Sequence, residues 1–434
     1  MNKLNAWSAI GALAAAAAAI GLTGCGSGSG DSSGNASVRV ANATLSHPSL
    51  DLLVNSAATA KATAADSVSA YVAPPSGTVT FQLNDAGAAT SLATSTPTLA
   101  GGGHYTLVAY ESGGAVKTLV IGEDIVAPAA GVATLRVYDA AVEAGKLDVY
   151  VTTGACTTAN LSSLAPLTTF GALTGPASVT LPAQGAGSYN VCVTGAGSKT
   201  DLRLGMPITL AGLQIATVVL TPTVGGQLVN GALLTQQGTY AATRNTNARV
   251  RLAASVSNGA SVAATSSGGT VIDGGSVAPA FGFYVLVPAR DSLNITVNGQ
   301  TLGAPSATLA AGGDATLLVY GAPGSAVASL IVDDNRLPSD ATTTKLRVIN
   351  GVTGAPAGST ITLTANSAPV GINLAQSAAS SYVTVPSSIN AVNLTLSSSS
   401  AGTFAANTSN TLNANLVYTI LVGGPLSAPQ LLIR

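Results

Sequence analysis

The sequence predicts an all-β protein in which four tandem immunoglobulin-like antiparallel β-sandwich domains follow an N-terminal export segment. Three observations lead there. Apolar and polar residues alternate with a period of two through most of the chain, with Thr and Val enriched and turn residues every 8–12 positions. The same set of landmarks occurs four times in the same order, as tandem duplication requires. Outside the first residues no stretch sustains a 3.6-residue period, so little helix is expected. The resulting division is 1–24 signal segment, 25–36 tether, and sandwich repeats at 37–130, 131–243, 244–341 and 342–434.

The export segment comes first. Lys3 supplies a positive start, and an apolar run from Trp7 to Leu22 follows it, ending in Leu22-Thr23-Gly24-Cys25. That tetrapeptide resembles the bacterial lipobox, in which small residues precede a Cys that is acylated on sulfur before cleavage. The competing arrangement, a membrane-spanning anchor, needs roughly 20 apolar residues, more than this run provides. Cys25 is therefore the expected lipidation site and the expected link to the membrane. Gly26 to Ala36 is small, polar and Gly/Ser-rich, a coil with a reach on the order of 18 Å. Gly rather than Asp after Cys25 points to the outer membrane of the cell envelope.

The repeats come next. Each opens on an alternating strand centred on an arginine: Arg39, Arg136, Arg251 and Arg347, spaced 97, 115 and 96 residues apart. A second strand follows, Leu50-Asp51-Leu52-Leu53-Val54 in the first copy and Leu147-Asp148-Val149-Tyr150-Val151 in the second; the other two copies keep the alternation and lose the Asp. The third landmark is a proline (Pro74-Pro75, Pro182, Pro288, Pro386) and then an alternating run: Val79 to Leu83, Tyr189 to Val193, Leu293 to Val297, Val392 to Leu396. The fourth is a longer strand containing Thr: Tyr105 to Tyr110, Ala216 to Leu220, Ala315 to Tyr320, Tyr418 to Val422. With only 4% aromatic residues, the core is expected to be Val, Leu, Ile and Ala. Aliphatic area contributes about 25 cal/mol per Å² buried, so such a core suffices.

The Arg strand, the Leu-Asp-x-x-Val strand, the proline corner, the Tyr-Thr-Leu-Val strand and acidic endings such as Gly122-Glu123-Asp124 and Val332-Asp333-Asp334-Asn335 resemble the bacterial domain of unknown function DUF4397. The resemblance extends over nearly all of residues 37–434, most clearly in copies one, two and four. It implies an exported β-sandwich and brings no catalytic residues with it. Copy two departs by a longer middle, and copies three and four by lacking the Leu-Asp pair.

Composition and motifs exclude several kinds of chemistry. Sixteen Lys and Arg against 17 Asp and Glu give no basic surface for nucleic acid. Low charge with high hydrophobicity is the reverse of the disordered signature. The two His, His47 and His104, lack zinc-ligand spacing, and no nucleophile elbow accompanies the many Ser and Thr, so neither a catalytic residue nor a metal or cofactor is expected. Glu123-Asp124 and Asp333-Asp334 read as solvated acids at domain junctions, and Arg39/Asp51 and Arg136/Asp148 as candidate cross-strand ion pairs. The double and triple glycines Gly101-Gly102-Gly103, Gly225-Gly226 and Gly312-Gly313 read as hairpin turns. Cys156 and Cys192, both in copy two, are expected to form a disulfide in an oxidising compartment, the alternative being two buried thiols. The function expected is a non-enzymatic envelope lipoprotein with a structural, adhesive or partner-binding role, its partner a protein or a glycan. The alternative is a carbohydrate- or metal-binding protein or enzyme using loops at one end of a sandwich, around His104 and Glu123-Asp124.

Overall fold

The computed structural model of the protein describes residues 34–404 and 407–434; Cys25, its signal and most of the tether lie outside them. Every repeat is a two-sheet β-sandwich. In the first, one sheet runs in the order Ala115–Gly122, His104–Ser112, Ser37–Asn42, Ser67–Val68, and the other in the order Ala57–Ala64, Ser49–Val54, Phe81–Asp85, Ser91–Ser95. The remaining three copies repeat this plan with extra edge strands. Helix among the described residues is confined to Thr158–Leu161 and two 3₁₀ turns, Val142–Ala144 and Pro323–Ser325.

The landmarks fall where alternation places them. The third-landmark run of copy three is the strand Leu293–Val297, and the Thr-containing runs lie within His104–Ser112, Ile215–Pro222, Asp314–Gly321 and Val417–Gly423. The prolines close the short edge strands beside the opening strand: Pro288 stands opposite Asn247 and Pro386 opposite Thr343. A residue without an N–H ends a ladder there.

One pairing departs from the antiparallel expectation in every copy. The opening strand lies parallel to the Thr-containing strand, in a register that sets Arg39 opposite Thr106, Arg136 opposite Thr217, Arg251 opposite Thr316 and Arg347 opposite Thr419. Parallel neighbours need a long crossover, and the whole second sheet serves as one. The final strand then returns antiparallel, so each repeat is entered and left at the same edge: Ser37 neighbours His104, and Tyr105 neighbours Gly122.

Val38 and Val40 face inward onto Leu50, Leu52, Phe81, Leu83 and Leu107, and three equivalent aliphatic clusters fill the other copies. Each fully buried Val, Leu or Ile contributes roughly 1.5–3 kcal/mol. Second-sheet strands such as Ser261–Ser266 and Thr360–Ala365 alternate buried and half-buried, one face being wet. The opening strands of repeats one and three do not: Ser37–Asn42 and Asn247–Val256 are buried on both faces, whereas Val132–Asp139 of repeat two alternates.

Cys156 and Cys192 form a disulfide with 5.5 Å between Cα atoms, tying the loop after Leu147–Thr152 to the strand Gly187–Gly195. The bond spans 36 residues, so loss of loop-closure entropy in the unfolded chain stabilises repeat two by about 4 kcal/mol. Replacing both by Ala is expected to lower the stability of repeat two by that order in denaturant unfolding followed by hydrogen exchange of Gly187–Gly195 amides. An unchanged midpoint would show that the bond adds nothing.

Candidate functional site

The second buried face of the opening strands is where the repeats meet. Ala41, Ala43, Val108 and Ile121 of repeat one pack on Val219 and Leu234 of repeat two; Ala253, Phe281 and Leu318 of repeat three pack on Ile349 and Leu421 of repeat four. Residues that point away from one sandwich's core thus become the core of a joint. Period-2 alternation puts the landmark arginine on that same face, so Arg39, Arg251 and Arg347 are buried inside the joints, while Arg136 is half-buried.

Arg39 donates from Nε to Thr106 Oγ1 (2.9 Å) and from Nη2 to both carboxylate oxygens of Glu123 (2.9 and 3.2 Å). Thr106 and the Tyr71 hydroxyl also donate to Glu123, and the guanidinium lies 4.8 Å from the Tyr71 ring centroid. Across the joint, Arg39 donates to the Gly238 and Thr235 carbonyls of repeat two, whose Gln237 N–H donates back to Glu123 (3.1 Å). Glu123 closes the last strand of the repeat and Arg39 opens the first. Entry and exit at one edge bring together residues 84 apart in sequence.

Repeats three and four reproduce the arrangement. Arg251 Nε donates to Thr316 Oγ1 (2.9 Å), and Thr316 and Tyr284 donate to Asp333. Arg347 of repeat four reaches back to Asp333 and to the Val332 carbonyl (3.0 Å), as Arg136 of repeat two reaches the Gly122 carbonyl (3.4 Å). The chain is therefore a duplicated pair as well as a quadruplicated unit.

Between the pairs, Gly225 and Gly226 are a hairpin turn with a second task. Gly225 N–H donates to the Gly312 carbonyl and its own carbonyl accepts from Asn335, both at 2.9 Å. A Cβ on either glycine would collide with Asp314 or Arg336 of repeat three and its linker, and Gly226 has φ +87. Beside this turn Arg249 holds Asp314 bidentately, at 2.8 and 2.6 Å.

Several expectations are corrected. Arg39 and Asp51 sit on different sheets, and so do Arg136 and Asp148. Asp51 accepts from the Ala62 and Gly87 amides (2.7 and 2.9 Å), which hold its carboxyl below the ordinary value, and Asp148 accepts from the Gly197 amide (2.8 Å). In both copies the Asp pins the turn after the third-landmark strand. Glu123 and Asp333 are not solvated: they are 2% and 1% exposed, and only their neighbours Asp124 and Asp334 reach solvent. His104 Nδ1 meets Asp124 Oδ1 at 2.9 Å on the surface, so His104, Asp124 and Glu123 do not converge on one pocket. His47 lies between Asp85 (2.6 Å) and Glu111 (3.6 Å) at a cleft between repeats one and two.

Two outcomes test the joints. Truncating one partner of a buried ion pair strands the other charge, so Arg347→Ala is expected to cost about 3–5 kcal/mol and to separate the unfolding of repeats three and four in calorimetry. Coincident, unshifted transitions would count against the clamp. Asp139 lies at the first joint, where burial pushes its carboxyl up to about 7 although the Ala141 amide donates to it. The folded state then binds this proton more tightly than the unfolded chain, whose carboxyl titrates near 3.8. Stability falls as pH rises through the interval between those values. Asp139→Asn is expected to flatten that fall in unfolding midpoints measured from pH 4 to 8.

Comparison with known proteins adds the following. No curated protein matches the chain. A solved structure titled the Bacillus anthracis TIE protein aligns with 87% of this chain and 66% of its own length, at 9% identity and a TM-score of 0.15. This chain thus spans just under two thirds of that protein, and the likeness is too slight to carry an argument. Residues 36–150, the whole first sandwich and the first two strands of the second up to Tyr150, match the family model "Domain of unknown function (DUF4397)", so this part of the chain is similar to that family.

Proposed function

We propose that this chain is a non-enzymatic cell-envelope lipoprotein whose four cross-braced sandwiches serve a structural, adhesive or partner-binding role. Cys25 carries the acyl chains, the Gly/Ser-rich stretch from Gly26 forms a tether that ends before Ala36, which already packs in the core of repeat one, and the outer membrane is the expected site because Gly follows Cys25. One observation carries the non-enzymatic part. In a chain with 8% charged residues, the buried charges Arg39, Glu123, Arg249, Asp314, Arg347 and Asp333 are spent on holding strands and repeats together. A catalytic constellation instead keeps a base and a nucleophile in reach of substrate. His104 with Asp124 lies at the surface, and His47 is held by two carboxylates.

Metabolic labelling with an alkyne-bearing palmitate in a bacterium expressing the chain tests the anchor. The protein is expected to take up label and sediment with membranes. Cys25→Ala is expected to lose both properties, and an unlabelled wild type ends the proposal.

A further inference from the structure

Where repeats two, three and four meet lies a cleft of about 310 Å³, lined by Arg249, Arg251, Phe283, Tyr284, Leu416 and Arg434 among others. From it we infer a binding site for a small organic carboxylate with an apolar, flat body, held by Arg251 and Arg434 and packed on Phe283.

The argument starts from a difference between the two equivalent clamps. Arg39 has every nitrogen engaged: Nε with Thr106, Nη1 with the Gly238 carbonyl, Nη2 with Glu123 and the Thr235 carbonyl. Arg251 is its counterpart in repeat three, equally buried at 3% exposure, and its Nη2 has no hydrogen-bond acceptor. The nearest carboxylate oxygen, Asp333 Oδ2, is 3.7 Å away and already accepts from Tyr284 and Thr316, while Arg347 holds the other oxygen. A buried guanidinium N–H without an acceptor costs free energy that an anionic oxygen recovers.

Charge points the same way. Around the cleft, Arg249, Arg251, Arg347 and Arg434 face Asp314 and Asp333, and Asp314 is already taken by Arg249 and Asn335. Arg251 shares one carboxylate with Arg347, and Arg434 donates from Nε only to the Phe281 carbonyl (3.2 Å) and from Nη1 to the Ile433 carbonyl. Burial draws the Arg251 guanidinium below its ordinary proton affinity, and the Arg249 charge adds to that. An added anion relieves both.

The walls select the anion's body. Phe283 is 76% exposed, with the Arg434 guanidinium 5.0 Å from its ring centroid, and Leu337, Leu416 and Val417 complete an apolar side. A large aromatic left in solvent beside arginines matches the makeup of binding hot spots. The volume falls in the range of roughly 300–1,000 Å³ typical of small-molecule sites. A carboxylate fits the planar donor edge of Arg, and a ring fits Phe283. Sulfate and acetate offer the charge without the body.

The test titrates the full chain with 3-phenylpropionate, using saturation-transfer NMR and calorimetry, with 3-phenylpropan-1-ol, acetate and sulfate as comparisons. Saturable binding of 3-phenylpropionate is expected, at least about tenfold tighter than any of the three. Arg251→Gln is expected to weaken it by about tenfold or more. Because that change touches the clamp, Phe283→Ala supplies the independent check: its side chain is outside the joint core, and its loss is expected to weaken binding about three- to tenfold with the melting temperature unchanged; Arg434→Ala, which also gives up the hydrogen bond to the Phe281 carbonyl, is expected to weaken binding by a similar factor. Absence of saturable binding, sulfate binding as tightly as 3-phenylpropionate, or indifference to both Phe283→Ala and Arg434→Ala overturns the inference.

Discussion

A buried guanidinium shared between two sandwiches is the constraint on which this molecule depends. Removing an arginine from water is costly, and the cost is offset only when its donors find acceptors and its charge finds a carboxylate. Arg39 meets both conditions through Thr106, Glu123 and two carbonyls of the next repeat. None of these partners comes from the strand that carries the arginine. The clamp therefore forms only when the first and last strands of one sandwich have both paired with the Thr-containing strand between them and the neighbouring sandwich has docked. Local folding and the joint between repeats become coupled through one side chain, whose aromatic cover from Tyr71 keeps water away.

This coupling explains how so charge-poor a chain specifies an arrangement of repeats. Apolar contact between Ala41, Val108, Val219 and Leu234 is non-directional and would tolerate sliding. Buried polar groups tolerate none, because a displaced donor loses its acceptor. Asp333 serves as the hub of the second pair, accepting from Tyr284, Thr316 and Arg347. The turn at Gly225 and Gly226 then sets one pair against the other by main-chain hydrogen bonds that no side chain leaves room to replace.

Much of the fold was legible in the sequence, and its limits have physical causes. Alternation marks strands and sorts residues onto two faces, which is why the runs at Leu293 to Val297 and Ala315 to Tyr320 were visible. It does not say what covers the second face, so Glu123 and Asp333 read as solvated when another copy buries them. Nor does spacing report sheet membership: twelve residues separate Arg39 from Asp51, a distance suited to a hairpin, yet the chain crosses between sheets over that interval. A usable signal was present. An arginine retained at the same strand position in all four copies of a chain with so few charges, always opposite a threonine, is hard to reconcile with a surface residue. The cleft beside Arg251 left no such trace, because it arises from a missing acceptor in a place where three repeats converge.

The parallel pairing of opening and Thr-containing strands has a consequence for how such an array grows and bears load. Because a sandwich begins and ends side by side, another copy can be spliced in without a connector having to cross its length. The same geometry means that a pull along the backbone loads the first and last strands from one end of the sheet, breaking the ladder bonds each makes to the strand between them one after another rather than all together. Tensile strength in this design must then reside in the seams between modules, where the arginines are.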